Sequence, residues 1–148
     1  MRTVVLLALL FTLTISGTAA AQSALEGSWV IDPDATLALT GAYLKALNPS
    51  LTDTQVREAI ASNDTRIVIA GKKLTCYLAP DKPDEYTIVG VWEDSQCTFV
   101  KTTRPYNGPD PVIEEVATVW IFQPNGARLH WIKVVGSTIS HLALKKQR

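Results

Sequence analysis

His130 and His141 are the only imidazoles in the chain, so general-base or metal chemistry of the usual kind has to start from them. On the two strands of one hairpin they project from the same face, diagonally adjacent. Zinc generally takes three or four protein ligands, and no carboxylate stands beside the pair on either strand. Both are expected as strand histidines on an exposed face. Cys76 and Cys97 form no Cys-x-x-Cys and have no histidine near them in sequence, which argues against a metal or redox centre. Among the acids, Asp32 and Asp34 have capping and first-turn roles, and Glu114-Glu115 ends a proline-rich loop. The chain has no Gly-x-Ser-x-Gly, no phosphate-binding glycine loop and no His-Glu-x-x-His. The expectation is a non-enzymatic protein with no catalytic residue, no metal and no cofactor.

The residues with most capacity for recognition are aromatic. Trp29, Trp92, Trp120 and Trp131, joined by Phe99, Phe122 and Tyr43, are the candidate ligand-binding set. In a small domain the same side chains also supply the largest share of core burial, so cavity wall and packed core both stand as readings.

The elements that must position these residues begin after an export signal. Arg2 precedes an uncharged run from Val4 to Ile15, and Ala19-Ala20-Ala21 stands before Gln22, the pattern of a cleaved signal peptide over residues 1–21. The run is too short for the ~20 residues of a membrane span, and no cysteine follows it for lipid attachment, so no transmembrane anchor is expected. The expected location is periplasmic or secreted. Lys and Arg number 14 against 14 Asp and Glu, and loss of Arg2 leaves one net negative charge, which gives no reason to expect nucleic acid as a partner. The rest, residues 22–148, is enough for one domain. An oxidising compartment favours a Cys76–Cys97 bridge. The strand reading sets the two cysteines on strands flanking a third, at least ~9.6 Å apart, beyond the ~7 Å a bridge allows. Both states remain open.

Leu25 to Ile31 reads as a short first strand. Asp32 is a helix N-cap and Pro33 suits the first helical position, with the helix running to Leu47 before Asn48-Pro49. A second helix starts at Thr52, with Gln55 completing a capping box, and ends near Ser62. From Asp64 the hydrophobic period changes from 3.6 to 2. Strands are expected at 66–70, 73–79, 86–93, 96–103, 116–124, 127–135 and 138–146.

Turn chemistry sets the faces of these strands. A type I′ turn at Asn125-Gly126 pairs Phe122 with Leu129 and Trp120 with Trp131, and a type II′ turn at Gly136-Ser137 pairs Trp131 with Leu142 and Leu129 with Leu144. All six then share one face. A turn at Gly71-Lys72 groups Ile67, Ile69, Leu74, Cys76 and Leu78, and one at Asp94-Ser95 groups Ile88, Gly90, Trp92, Cys97 and Phe99. The opposite face of that last hairpin, with Val89, Val91 and Val100, is also apolar. A one-faced meander avoids exposed edges by closing. The expected fold is therefore mainly β: an antiparallel up-and-down barrel with a two-helix insertion after strand one, over about 33–62.

This order of elements, Gly27-x-Trp29 in the first strand, then two short helices, then a meander, resembles the calycin group, the lipocalins and fatty-acid-binding proteins. The resemblance implies a barrel whose tryptophan closes one end and whose interior holds an apolar ligand. A helix pair directly after strand one looks more like the fatty-acid-binding proteins, where it caps the cavity and forms the portal. Those proteins have ten strands and are cytosolic, whereas about eight strands and an export signal are expected here. Their final strand offers Arg-x-Tyr to the ligand carboxylate, and Ser140-His141-Leu142-Ala143-Leu144-Lys145 contains neither residue, so that capture does not transfer.

Two functions follow as expectations. One is binding of a small apolar or amphipathic ligand inside the barrel, under a lid whose inner surface is Leu39, Tyr43, Leu44, Leu47, Val56 and Ile60. The other is a protein-interaction module acting through the loop from Arg104 to Glu115, whose prolines limit the entropy lost on docking and whose Tyr106 is a possible anchor.

Overall fold

A computed structural model of the chain describes residues 19–79, 82–109, 114–135 and 138–148. The expected signal peptide lies largely outside the described residues, as do the Gly136-Ser137 turn and residues 110–113 of the proline-rich loop. Eight antiparallel strands close in sequence order into an up-and-down barrel. They are β1 (Gly27–Ile31), β2 (Arg66–Ala70), β3 (Lys73–Ala79), β4 (Lys82–Glu93), β5 (Thr98–Pro105), β6 (Glu115–Asn125), β7 (Arg128–Val135) and β8 (Thr138–Lys146). Helix α1 covers residues 19–25. Helices α2 (Pro33–Leu47) and α3 (Asp53–Ala61) follow β1, as expected. None of the helices among the described residues is long and apolar enough to cross a membrane.

The helix boundaries follow local chemistry. Asp32 accepts the Ala35 N–H at 3.2 Å and Pro33 opens α2. Thr52 and Gln55 exchange side-chain and main-chain hydrogen bonds in the capping box of α3. Leu25 is a correction: it ends α1 rather than starting β1, and it is buried in the core. Its carbonyl accepts the Trp29 indole N–H at 2.7 Å, tying α1 to the first strand. Gly27, at φ +133°, makes the change of direction between them, and a Cβ there would lie 2.6 Å from Lys146 Cε.

The barrel core is a continuous cluster including Leu25, Trp29, Ile67, Leu74, Phe122 and Leu144, joined by Val56 and Ile60 of α3. The register departs from expectation at two turns. Asn125 pairs with Arg128, so Gly126-Ala127 forms the turn and Phe122 faces Trp131 instead of Leu129. Type I′ would need positive φ at both Asn125 and Gly126, and only Gly126 has it, at +60°. The shift is two residues, so every side chain keeps its face. The Gly71 and β7–β8 hairpins pair as expected, with Ile67 opposite Cys76 and Trp131 opposite Leu142.

At Asp94-Ser95 the turn widens to four residues, because Asp94 Oδ1 accepts the N–H groups of Gln96 and Cys97 at 2.8 and 2.9 Å. A β-bulge further along β4 matters more. Ile88 pairs with Thr102 and Gly90 with Lys101, leaving Val89 as the extra residue. Ile88 stays inside, and past the bulge Val91 and Val100 turn inward while Trp92 and Phe99 turn out.

Candidate ligand cavity between β6 and β7

β6 and β7 pair only from Ile121 opposite Ile132 down to Asn125 opposite Arg128. Toward the end carrying the helices, Glu115 to Trp120 ladder with β5, and Lys133 to Val135 ladder with β8. A cavity of about 380 Å³ opens into the barrel where the two strands part. Trp120 and Trp131 flank the parting, and Cys76, Leu78 and Tyr86 line the cavity from β3 and β4. The volume falls within the range of ~300–1,000 Å³ usual for small-molecule sites.

Its walls are aromatic. The Trp120 and Trp131 rings lie 5.3 Å apart at 27°, and Tyr86 meets Trp120 edge-on, 5.1 Å away at 80°. Trp120 is held by its indole N–H, which donates to Thr102 Oγ1 at 2.9 Å, while that hydroxyl donates onward to Thr118 O at 3.3 Å. The indole dipole is thus satisfied inside the wall. Phe122 and Leu74 are sealed at 0 % exposure one layer deeper, which closes the floor.

Lys133 lines the cavity, and Arg104 stands beside its Tyr86 wall. Arg104 Nη1 donates to Asp84 Oδ1 at 3.1 Å, and its guanidinium lies 5.4 Å from the Tyr86 ring centroid. Lys133 Nζ lies 5.7 Å from the Trp131 centroid. Burial pushes the Cys76 thiol up to about 11; nearby Asp84 adds to the shift and Lys133 opposes it. Cys76 is therefore a neutral, apolar wall element at ordinary pH. Burial also raises the Tyr86 phenol, against the pull of Arg104. Cys76 and Cys97 are both free.

Neither a family model, nor a curated protein, nor a solved structure matches this chain. The site therefore rests on its own geometry.

Of the candidate ligand-binding residues, the structure brings Trp120 and Trp131 to the cavity. Phe122 packs beneath it, and Trp29 packs with Leu25 at the opposite end. Trp92 and Phe99 stack on the outer wall, 5.5 Å apart and 6° from parallel, because the bulge at Val89 reverses the faces of β4 beyond it. They begin a row of directly paired residues that continues through Ile121, Ile132 and His141.

Tyr43 points to solvent at 52 % exposure, as do Leu39 and Leu47. Helix α2 carries two apolar stripes, and the one facing the barrel holds Thr36, Leu37, Gly41 and Leu44. Of the expected lid surface, Leu44, Val56 and Ile60 do face inward, around a second cavity of about 270 Å³ against Ile31 and Leu142.

Sequence reasoning missed Tyr86 and Lys133 as cavity residues and named Arg104 only as the start of the proline-rich loop. Inside–outside alternation along their strands was the available signal: Tyr86 is two residues before Ile88, and Lys133 two after Trp131. The histidines pair as read, His130 opposite Ala143 and His141 opposite Ile132, but both are half-buried rather than exposed. No group of three potential metal ligands occurs among the described residues.

Proposed function

We propose that the chain is an exported, non-catalytic binder of a small hydrophobic or amphipathic ligand, held in a calycin-like barrel and delivered through the parting of β6 and β7. The observation that carries the proposal is the 380 Å³ cavity walled by Trp120, Trp131 and Tyr86. Apolar walls with a few polar groups at one side are the usual make-up of a small-molecule site. The sealed floor limits the ligand to a compact one, since Phe122 and Leu74 fill the barrel below. The helix pair and the start of the proline-rich loop lie at the same end as the cavity, as a lid and rim would. The leader pattern of residues 1–21 supports export.

Native mass spectrometry of protein purified from its export compartment, followed by denaturation, is expected to release a small apolar or amphipathic molecule. With the fluorescent probe N-phenyl-1-naphthylamine, Trp131→Ala should weaken binding by at least about tenfold, the scale of one lost aromatic contact. Shortening the 107–113 loop should leave it intact. Leu78→Trp is the control for folding, because Leu78 is exposed at the mouth and a larger ring there fills the cavity without entering the core. Unchanged probe binding in both substitutions would overturn the proposal and move the function to the loop.

A further inference from the structure

The cavity at the parting of β6 and β7 has a neighbour. Across the β7–β8 pair, Ile31, Leu44, Leu51, Val56, Ile60 and Leu142 line the second cavity, about 270 Å³ beneath the helix pair. The two cavities meet at one pair of residues. Trp131 lines the first and Leu142 the second, and they stand directly opposite each other on β7 and β8. Both belong to the inward face, Trp131 within the core and Leu142 packed against it.

The two sets of walls differ in kind. Indole and phenol rings wall the first cavity, a surface suited to another flat ring. Neither an aromatic nor a charged side chain lines the second, whose polar residues are Gln55 and Asn63. Their amide oxygens are engaged locally, Gln55 Oε1 by the Thr52 N–H at 2.9 Å and Asn63 Oδ1 by the Thr65 N–H at 3.0 Å. What remains there is aliphatic surface, which holds a ligand by area burial alone. The side chain between the two spaces is one that can yield. Leu142 is half-buried, whereas Leu144 on the same face is sealed at 0 % exposure, and a leucine with free space beside it changes rotamer at little cost.

We propose, resting on the ligand-binding reading above, that the ligand is a ring carrying a short aliphatic arm, the ring against Trp120 and Trp131 and the arm passing Leu142 into the second cavity. Leu142 is then the residue that sets which arms are accepted. Protein interiors are close-packed, and an apolar void lowers stability. Two voids divided by one half-buried side chain are best filled together by a single molecule. The sealed floor of Phe122 and Leu74 stops that molecule from running down the barrel axis. Its extra length goes sideways instead, across the helix end of the barrel and beneath α3.

The test competes 4-ethylphenol, 4-butylphenol and 4-hexylphenol against N-phenyl-1-naphthylamine fluorescence. It uses the unaltered protein, Ala59→Trp and Leu51→Trp, with unfolding midpoints recorded for each. Ala59 is exposed on α3 and lines the second cavity, so a ring there fills that space from the solvent side; Leu51→Trp fills it from the loop before α3. In the unaltered protein each added methylene should tighten binding about fourfold, giving at least about tenfold from ethyl to butyl. Either filling substitution should remove that gain and leave 4-ethylphenol within about twofold. Equal affinity for the three phenols in the unaltered protein, or a gain that persists in a folded filling variant, would overturn the two-cavity ligand while leaving the cavity reading in place. Binding of neither the fluorescent probe nor any phenol would overturn both.

Discussion

Thr36 Oγ1 accepts the Ala143 N–H at 3.0 Å and donates to the Ala143 carbonyl at 3.3 Å. One helix hydroxyl thereby serves both main-chain groups of a fully buried residue on β8. β1 pairs with β8 only from Trp29 opposite Lys146 to Ile31 opposite Leu144 before the chain turns into α2. Thr36 continues the ladder for one more residue, with help from Asp32 N–H, which donates to the same carbonyl at 2.8 Å. The helix pair is in this way a structural part of the barrel seam.

Thr36→Val keeps the shape and deletes both bonds. The Ala143 N–H is then buried without an acceptor, which should cost about 1–3 kcal/mol. Urea unfolding measures this, and Thr36→Ser should recover most of the loss. A Val variant within about 0.5 kcal/mol of the parent would show the seam does not depend on this contact.

Asp32 caps α2 and accepts from Arg128 Nε at 2.9 Å. Burial works to raise its carboxyl, but the Ala35 N–H and Arg128 together outweigh it and hold the group below its ordinary 3.8. A carboxylate depressed in the folded state stabilises fully above that value, and the contribution is lost as pH falls through the lower folded value. Asp32→Asn keeps a capping acceptor and removes the charge. It should cost under about 1 kcal/mol at neutral pH, with parent and variant converging in acid. Asp32→Ala should cost about 1 kcal/mol more through the lost cap. A gap between parent and Asp32→Asn that stays constant down to pH 2 would refute the assignment.

His130 is held below 6.5 by burial, with smaller contributions from His141 and Arg128. The folded state therefore resists protonating it. Stability should be full above pH 6.5 and decline as pH falls below it, because the unfolded chain binds the proton more readily. His130→Gln should flatten the melting temperature between pH 7.5 and 5.5. Equal slopes in parent and variant would remove His130 as the cause.

The two thiols should separate chemically. Cys76 is buried and its thiol is pushed up to about 11, whereas Cys97 is partly exposed in the β4–β5 loop. A disulfide dye at pH 8 is expected to label one thiol on the folded protein and two in denaturant. A protein that labels at neither position until reduced would contain the bridge that an oxidising compartment favours.

Local signals were legible wherever the chemistry was local. The α2 and α3 boundaries followed from Asp32-Pro33 and the Thr52/Gln55 box, and β2, β3 and β8 begin and end at the expected residues. The shared inward face of Trp120, Phe122, Leu129, Trp131 and Leu144 held even though the Asn125-Gly126 register was off by two, since an even shift preserves alternation. Trp92 and Phe99 failed for the complementary reason. One extra residue at Val89 is an odd shift, and both faces of that hairpin are apolar, so hydrophobic pattern alone had no way to register it. Tyr43 failed because α2 carries two apolar stripes and only contact with β8 selects between them.

By itself the sequence determined the order of elements from β1 onward, the helix caps and the meander that must close, because each depends on residues near one another along the chain. Only the tertiary structure decided that β6 and β7 part above Ile121 and Ile132, and that a cavity opens there. Only it brought Arg104 of β5 against Tyr86 and Lys133 of β7 against Trp131, from strands that are not adjacent. Those outcomes depend on strand length, bulge and curvature summed around a closed barrel, a global geometric condition that short-range residue pattern does not contain.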